Sequence, residues 1–213
     1  MTTNAHSRQS GFSLVELAMV LLIVGLLLGG LVPTISSQIE QQRINETRKQ
    51  LEEIKQALRG FAVVNGRLPC ADTNADGEEG LLLPASCNAT VATEGFLPWK
   101  TLGVAEKDAW EQTWRYRVDR NFSQSFKLTT AFSVDNLLVK NNAGADMTSA
   151  GERPIAIVYS LGKNLVANGQ NANYEGTNGI YQSDVPSPAF DDIAIWLSRP
   201  VLFNRMVKAG KLP

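Results

Sequence analysis

The feature that most limits how this chain can fold is an apolar run with one acid at its head. Residues 11–24 read GFSLVELAMVLLIV, and no charged residue occurs from Leu17 to Ile35. A helix of that length spans the hydrocarbon core of a bilayer. Glu16 stands at the front of the run. A carboxylate carried to the bilayer centre costs roughly 2.5–3.5 kcal/mol, so an acid here needs a partner or a task. Ahead of the run, MTTNAHSRQSG carries Arg8 and no acid. Positive charge on that side favours keeping it in the cytoplasm while the C-terminal bulk crosses. A secretory signal would have a shorter apolar region and a cleavage site of small residues. LLLGGLVPTISSQ offers only a poor site of that kind, so the segment is expected to stay as an anchor.

The run continues into a second pattern. In QQRINETRKQLEEIKQALRGFAVVNG, the apolar residues Leu51, Ile54, Leu58 and Phe61 recur three and four apart, which is one face of a helix. Charged residues occupy the other faces, and Gly66 after Asn65 is the expected stop. Gly29, Gly30 and Pro33 predict a kink or a locally melted turn. The first half should lie in lipid or among other helices, and the second should pack on its own domain.

Composition removes several function classes. Twenty basic and 21 acidic residues give a net charge of −1, so no whole-chain field points to nucleic acid. The only histidine, His6, precedes the apolar run, which argues against a histidine triad and a zinc site in the rest of the chain. No glycine-rich phosphate loop with lysine and no G-x-S-x-G elbow occurs, so an enzyme is not expected. Asp191 and Asp192 are adjacent, and neighbours on a strand point to opposite faces, unlike a catalytic carboxylate pair. Trp99, Trp110, Trp114 and Trp196 would suit a ligand pocket in a membrane-tethered binding module, but core packing is their commoner use.

Cys70 and Cys87 both lie beyond the apolar run. In an exported domain they most simply form a disulfide, worth about 3 kcal/mol in the chain-entropy model, the alternative being two free buried thiols. The intervening sequence is rich in Pro, Gly, Asp and Asn and needs such a staple. Asp72, Asn74, Asp76 and Gly77 match the first half of a calcium loop, but Leu83 stands where its bidentate Glu would be. A run of Asx turns is the favoured reading there.

Past Asp108 the period changes to two. TWRYRVD, SFKLTTAFSV, PIAIVYSLG and DDIAIWLS read as strands, and KNNAGADMTSAGERP as a polar connection. SRPVLFNRMVKAGKLP has Ser198 as N-cap, Pro200 in the first turn and Gly210 past the last, which describes a short C-terminal helix. The expectation is an α+β fold: a long N-terminal helix packed on a small antiparallel sheet of about four strands, with a short helix at the end.

GFSLVEL with its apolar helix and Pro33 resembles the N-terminus of type IV pilins and of the pseudopilins of type II secretion. The resemblance implies that a prepilin peptidase cuts after Gly11 and that Phe12 becomes an N-methylated N-terminus. It divides the chain into a leader at 1–11, a transmembrane or filament-core helix at 12–35, an amphipathic half-helix at 36–66 and a periplasmic domain at 67–213. It implies a single-pass protein of the bacterial inner membrane whose partners are other pilin or pseudopilin subunits, an inner-membrane assembly platform and lipid, with no direct nucleic-acid binding. Glu16 would pair with the Phe12 amine of a neighbouring subunit and fix the axial register between apolar helices, having no partner in its own.

More loosely, NGRLP, KDAWEQTWRYRV, IVYSLGKN and FDDIAIW resemble the order of segments in major pseudopilins of type II secretion. The D-P-W-G of that family stands here as Asp108, Ala109, Trp110 and Glu111. The same resemblance implies a structural calcium ion, with Asp191, Asp192 and Asn164 as candidate ligands, although the preceding loop is long and poor in acids. A subunit of the type II secretion pseudopilus is the leading expectation. A minor pilin of a surface or DNA-uptake pilus is the alternative.

Overall fold

A computed structural model describes residues 11–80, 94–133, 135–173 and 179–212, with only the backbone described at 28–34 and 173. It separates into two compact units, Met1–Gln42 and Arg43–Pro213. Helix α1, Leu14–Asn65, contributes to both.

From Leu17 to Leu27, within the first unit, α1 is apolar on every side. Phe12 and Leu14 are 83% and 88% exposed, and every described side chain from 11 to 27 is exposed. Such a surface is stable only among lipid tails or other helices. Among the described residues no helix is long and apolar enough to cross a membrane. The backbone stays helical through Gly29, Gly30 and Pro33, so the melted turn expected there is absent. One proline removes a single ladder bond from a long helix, and propagation from both sides maintains the rest.

In the second unit α1 has one buried stripe. Thr47, Leu51, Ile54, Leu58 and Ala62 are each at most 2% exposed, at helical spacing. Phe61, expected on the stripe, lies half-buried beside it under the Arg67 guanidinium, 5.4 Å from its ring centroid. The helix ends where the sequence places it: Gly66 takes φ +70° and its N–H donates to the Ala62 carbonyl.

The stripe packs on a four-stranded antiparallel sheet. Its strands are β1 (Gly95–Phe96), β2 (Arg115–Val118), β4 (Pro154–Ser160) and β6 (Ile193–Ser198), in that spatial order. A single helical turn, α2 (Trp99–Leu102), lies between β1 and β2 in the chain. Tyr116, Val118, Ala156, Val158, Ile193 and Leu197 join the α1 stripe in one core. The opposite face, through Ile157 and Tyr159, packs on Leu137, Val139 and Tyr181. Those three come from or flank a two-stranded parallel ribbon, β3 (Leu138–Lys140) with β5 (Ile180–Gln182). All seven residues of β4 are buried, as a central strand covered on both faces requires. Helix α3, Arg199–Lys208, starts after Ser198 and buries Leu202 and Met206.

Two strand assignments differ from the sequence reading. SFKLTTAFSV is not a strand among its described residues. Its aromatic residues, Phe126 and Phe132, join Phe122 in a cluster instead: Phe122 and Phe126 lie 5.4 Å apart, Phe126 stacks on Phe203 of α3 at 5.7 Å, and Phe132 lies 6.2 Å from Phe122. The fourth strand is β1, from a segment expected to be loop, and it also bridges to Asp72. The β3–β5 ribbon was not foreseen, because three-residue strands carry too little periodicity to register.

Candidate functional site

Two places bear on function: the start of α1 and a loop held by Asp191 and Asp192. At the first, Gly11, Phe12 and Ser13 precede the helix in non-helical backbone, and α1 begins at Leu14. The Glu16 N–H donates to Ser13 Oγ at 3.2 Å, and the Ser13 N–H reaches Glu16 Oε2 at 3.5 Å. This is a reciprocal capping box, S-x-x-E, which satisfies two of the orphan donors of the first turn. The expectation that Glu16 lacks any partner in its own chain is thereby corrected. The helix start supplies a local one, although the longer contact is weak and both groups are exposed.

The second place is the connection after β4. Gly162 adopts φ +64°, and a Cβ on it would lie 2.3 Å from the Asp191 carbonyl oxygen, so only glycine fits. Asp191 Oδ2 accepts the N–H of Asn164 at 2.8 Å. Asp192 Oδ2 accepts the Asn168 N–H at 2.8 Å and Asn171 Nδ2 at 2.9 Å. Asn171 also bonds both backbone groups of Gln182, tying the loop to β5. Asp191 Oδ1 and Asp192 Oδ1 are buried with no hydrogen-bond partner. Burial, aided by the neighbouring Asp191 charge, pushes the Asp192 carboxyl up to about 6.

The three predicted calcium ligands therefore meet in one loop, with different standing. Two orphaned carboxylate oxygens are the chemistry a hard cation seeks. The Asn164 amide oxygen is already taken by the Val166 N–H at 2.8 Å. Among the described residues no group of three or more His, Cys, Asp or Glu side chains is placed to hold a metal ion. Backbone carbonyls or water would have to complete any shell around the two carboxylates.

The calcium-loop fragment at 72–77 is a turn, as favoured. Asp72 Oδ1 accepts the N–H groups of Asn74 and Ala75, and Oδ2 that of Gly77, at 2.7–3.0 Å. Those donors leave little of the carboxylate for a cation. Cys70 is buried, whereas Cys87 lies outside the described residues. Trp110 and Trp114 belong to the main core, and Trp196 packs against the second one. Glu111 takes φ +64°, in the left-handed region that favours glycine. Asp108 Oδ1 holds that turn by accepting the N–H groups of Trp110 and Gln112.

Sequence reasoning missed a buried polar hub. The Glu94 side chain is 0% exposed and accepts from Arg115 Nε, Tyr159 Oη and Tyr181 Oη at 2.7–2.9 Å. Burial pushes its carboxyl up, against the pull of these donors. The four residues come from separate strands and a strand end, so nothing local in the sequence could announce them.

Residues 6–32 match the family described as the prokaryotic N-terminal methylation motif, the signature of type IV pilins and pseudopilins. The match spans Gly11, Phe12 and Glu16. It implies processing by a prepilin peptidase and assembly with other pilin subunits. No curated protein and no solved structure matches the chain.

Proposed function

We propose that this chain is a non-catalytic structural subunit of a type IV filament-like assembly, and most specifically of the type II secretion pseudopilus. The observation that carries the reading is the methylation motif over residues 6–32, with Gly11 as the last leader residue and Phe12 as the methylated N-terminus. Residues 12–35 would anchor the subunit in the bacterial inner membrane and later line the filament core, leaving the α+β unit in the periplasm. Exposed apolar side chains from Phe12 to Leu27 support a segment whose cover comes from lipid first and neighbouring helices afterwards. A structural calcium ion at Asp191 Oδ1 and Asp192 Oδ1 belongs to the same proposal.

Intact-mass measurement of the membrane-extracted protein tests the processing step. The expected mature chain begins at N-methyl-Phe12, and Gly11→Val should leave the precursor uncut. Retention of Met1 in assembled protein would overturn it. Deleting the gene separates the systems: loss of exoprotein release supports the pseudopilus, and loss of twitching or DNA uptake supports a minor pilin.

A further inference from the structure

Asparagine is chemically labile, and most so before glycine, where no Cβ obstructs the next backbone nitrogen as it approaches the side-chain carbonyl carbon. The chain has three such pairs, at 65–66, 168–169 and 178–179, and Asn178 lies outside the described residues.

The other two stand in opposite states. At the end of α1 the Gly66 N–H donates to the Ala62 carbonyl at 2.8 Å, and Asn65 Nδ2 donates to the Phe61 carbonyl at 2.9 Å. Both reacting groups are held. In the loop after β4, Gly169 is exposed, and its N–H makes no hydrogen bond among the described residues. Asn168 engages only its side-chain oxygen, which accepts the Asp191 N–H and Asn164 Nδ2, each at 3.1 Å. Two donors on that oxygen draw electron density from Cγ and stabilise the charge the oxygen gains during attack. The fold also retains the pair. Gly169 takes φ +54°, and a Cβ on it would collide with Gln182 Oε1, so glycine is required.

We propose that Asn168 is a site of spontaneous deamidation, and that the new carboxylate loosens the loop held by Asp191 and Asp192. The Gly169 nitrogen bonds to Asn168 Cγ and gives up its proton. The Cγ–Nδ2 bond breaks, and Nδ2 takes the proton and leaves as ammonia. Water then opens the cyclic imide at one of its two carbonyl carbons, giving aspartate or isoaspartate at position 168. Nothing is oxidised or reduced. Aspartate adds a third like charge beside Asp191 and Asp192. Isoaspartate reroutes the main chain through Cβ and Cγ, displacing the carbonyl that accepts the Asn171 N–H at 3.0 Å. This inference stands apart from the filament reading and fails or holds without it.

The test incubates the full chain in detergent and chelator at mildly alkaline pH, and tandem mass spectrometry locates the mass gain. The urea-unfolded chain is the reference, since there neither asparagine is held. Relative to that reference, folding should slow Asn65 about tenfold more than Asn168, the scale of opening one hydrogen bond before attack. Equal slowing of the two overturns the assignment. Asn168→Asp keeps an acceptor for the Asp191 N–H and adds only the charge. It should lower Tm in chelator by roughly 2–4 °C, as the loss of one ordinary contact does in a chain of this size. An unchanged Tm overturns the loosening of the loop. Processing at Gly11 is untouched by any of these outcomes.

Discussion

Ser13 and Glu16 exchange hydrogen bonds across the first turn of α1, at 3.2 Å into the hydroxyl and 3.5 Å into the carboxylate. One acid is thus suited to two tasks: it caps its own helix, and under the proposed processing its charge would be available to the amine created at Phe12. The tasks need different chemistry. Capping needs an oxygen acceptor, whereas pairing with a buried ammonium needs the negative charge.

That difference gives the first prediction. Glu16→Gln keeps an acceptor for the Ser13 N–H and loses the charge, so insertion and cleavage should proceed while assembly fails. Removing one member of a buried ion pair costs about 3–5 kcal/mol, more than a hundredfold per contact. Ser13→Ala should do the reverse, weakening the cap by about 1 kcal/mol and sparing assembly. Filament yield in cells expressing each variant beside wild type measures both. Wild-type incorporation of the Gln variant would sink the pairing argument.

A second prediction concerns the turn after α1. Arg67 donates from both terminal nitrogens to Glu79 at 2.7 Å, and the side chains are only 10% and 13% exposed. Glu79 also accepts the Cys70 N–H at 3.1 Å. Glu79→Ala should destabilise the domain by about 3–5 kcal/mol, because it strands a buried guanidinium and a backbone donor. Arg67→Ala with Glu79→Ala should cost less than the sum of the single changes. Urea unfolding of the four proteins closes the cycle, and strict additivity would show that the pair is not coupled.

The helical parts were the most legible in the sequence, for a physical reason. Leu51, Ile54 and Leu58 report a period that a few residues suffice to establish, and Ser198, Pro200 and Gly210 bracket α3. The sheet was partly legible. PIAIVYS and IAIWLS combine length with β-branched side chains, whereas Gly95–Phe96 is a strand only because β2 and Asp72 pair with it. SFKLTTAFSV misled because its aromatic residues, Phe126 and Phe132, suit both strands and core-filling loops. At the loop site, the adjacent acids were visible, but the amides that engage them were not. Asn168 and Asn171 look like ordinary loop residues until Asp192 is brought to them.

The cysteines supply a third prediction. With Cys70 buried at 1% exposure, a bridge to Cys87 would anchor the Pro- and Gly-rich sequence around it. Thiol labelling of denatured, unreduced protein should find no free cysteine. Replacing both by Ser should cost about 3 kcal/mol, the entropy released to the unfolded chain. Two labelled thiols, or an unchanged unfolding midpoint, would contradict the bridge.

The last prediction addresses the two orphaned oxygens at Asp191 and Asp192. A buried carboxylate oxygen without a donor seeks either a proton or a cation. The elevated Asp192 carboxyl shows the first preference, and calcium would satisfy both residues at once. An ion that binds only the folded chain stabilises it by about 2.7 kcal/mol at a hundred times its dissociation constant. For a domain of this size that amounts to a Tm rise of roughly 5–10 °C. Calcium should therefore raise Tm above the value in chelator, and magnesium should not, since it resists giving up its waters. Asp191→Asn and Asp192→Asn should each abolish the rise. Asn164→Ala should preserve it, because the oxygen of that amide is already committed to the Val166 N–H. Equal Tm values in calcium and chelator would mean that the loop is held by its amides alone. A calcium effect surviving both Asp variants would place the ion elsewhere.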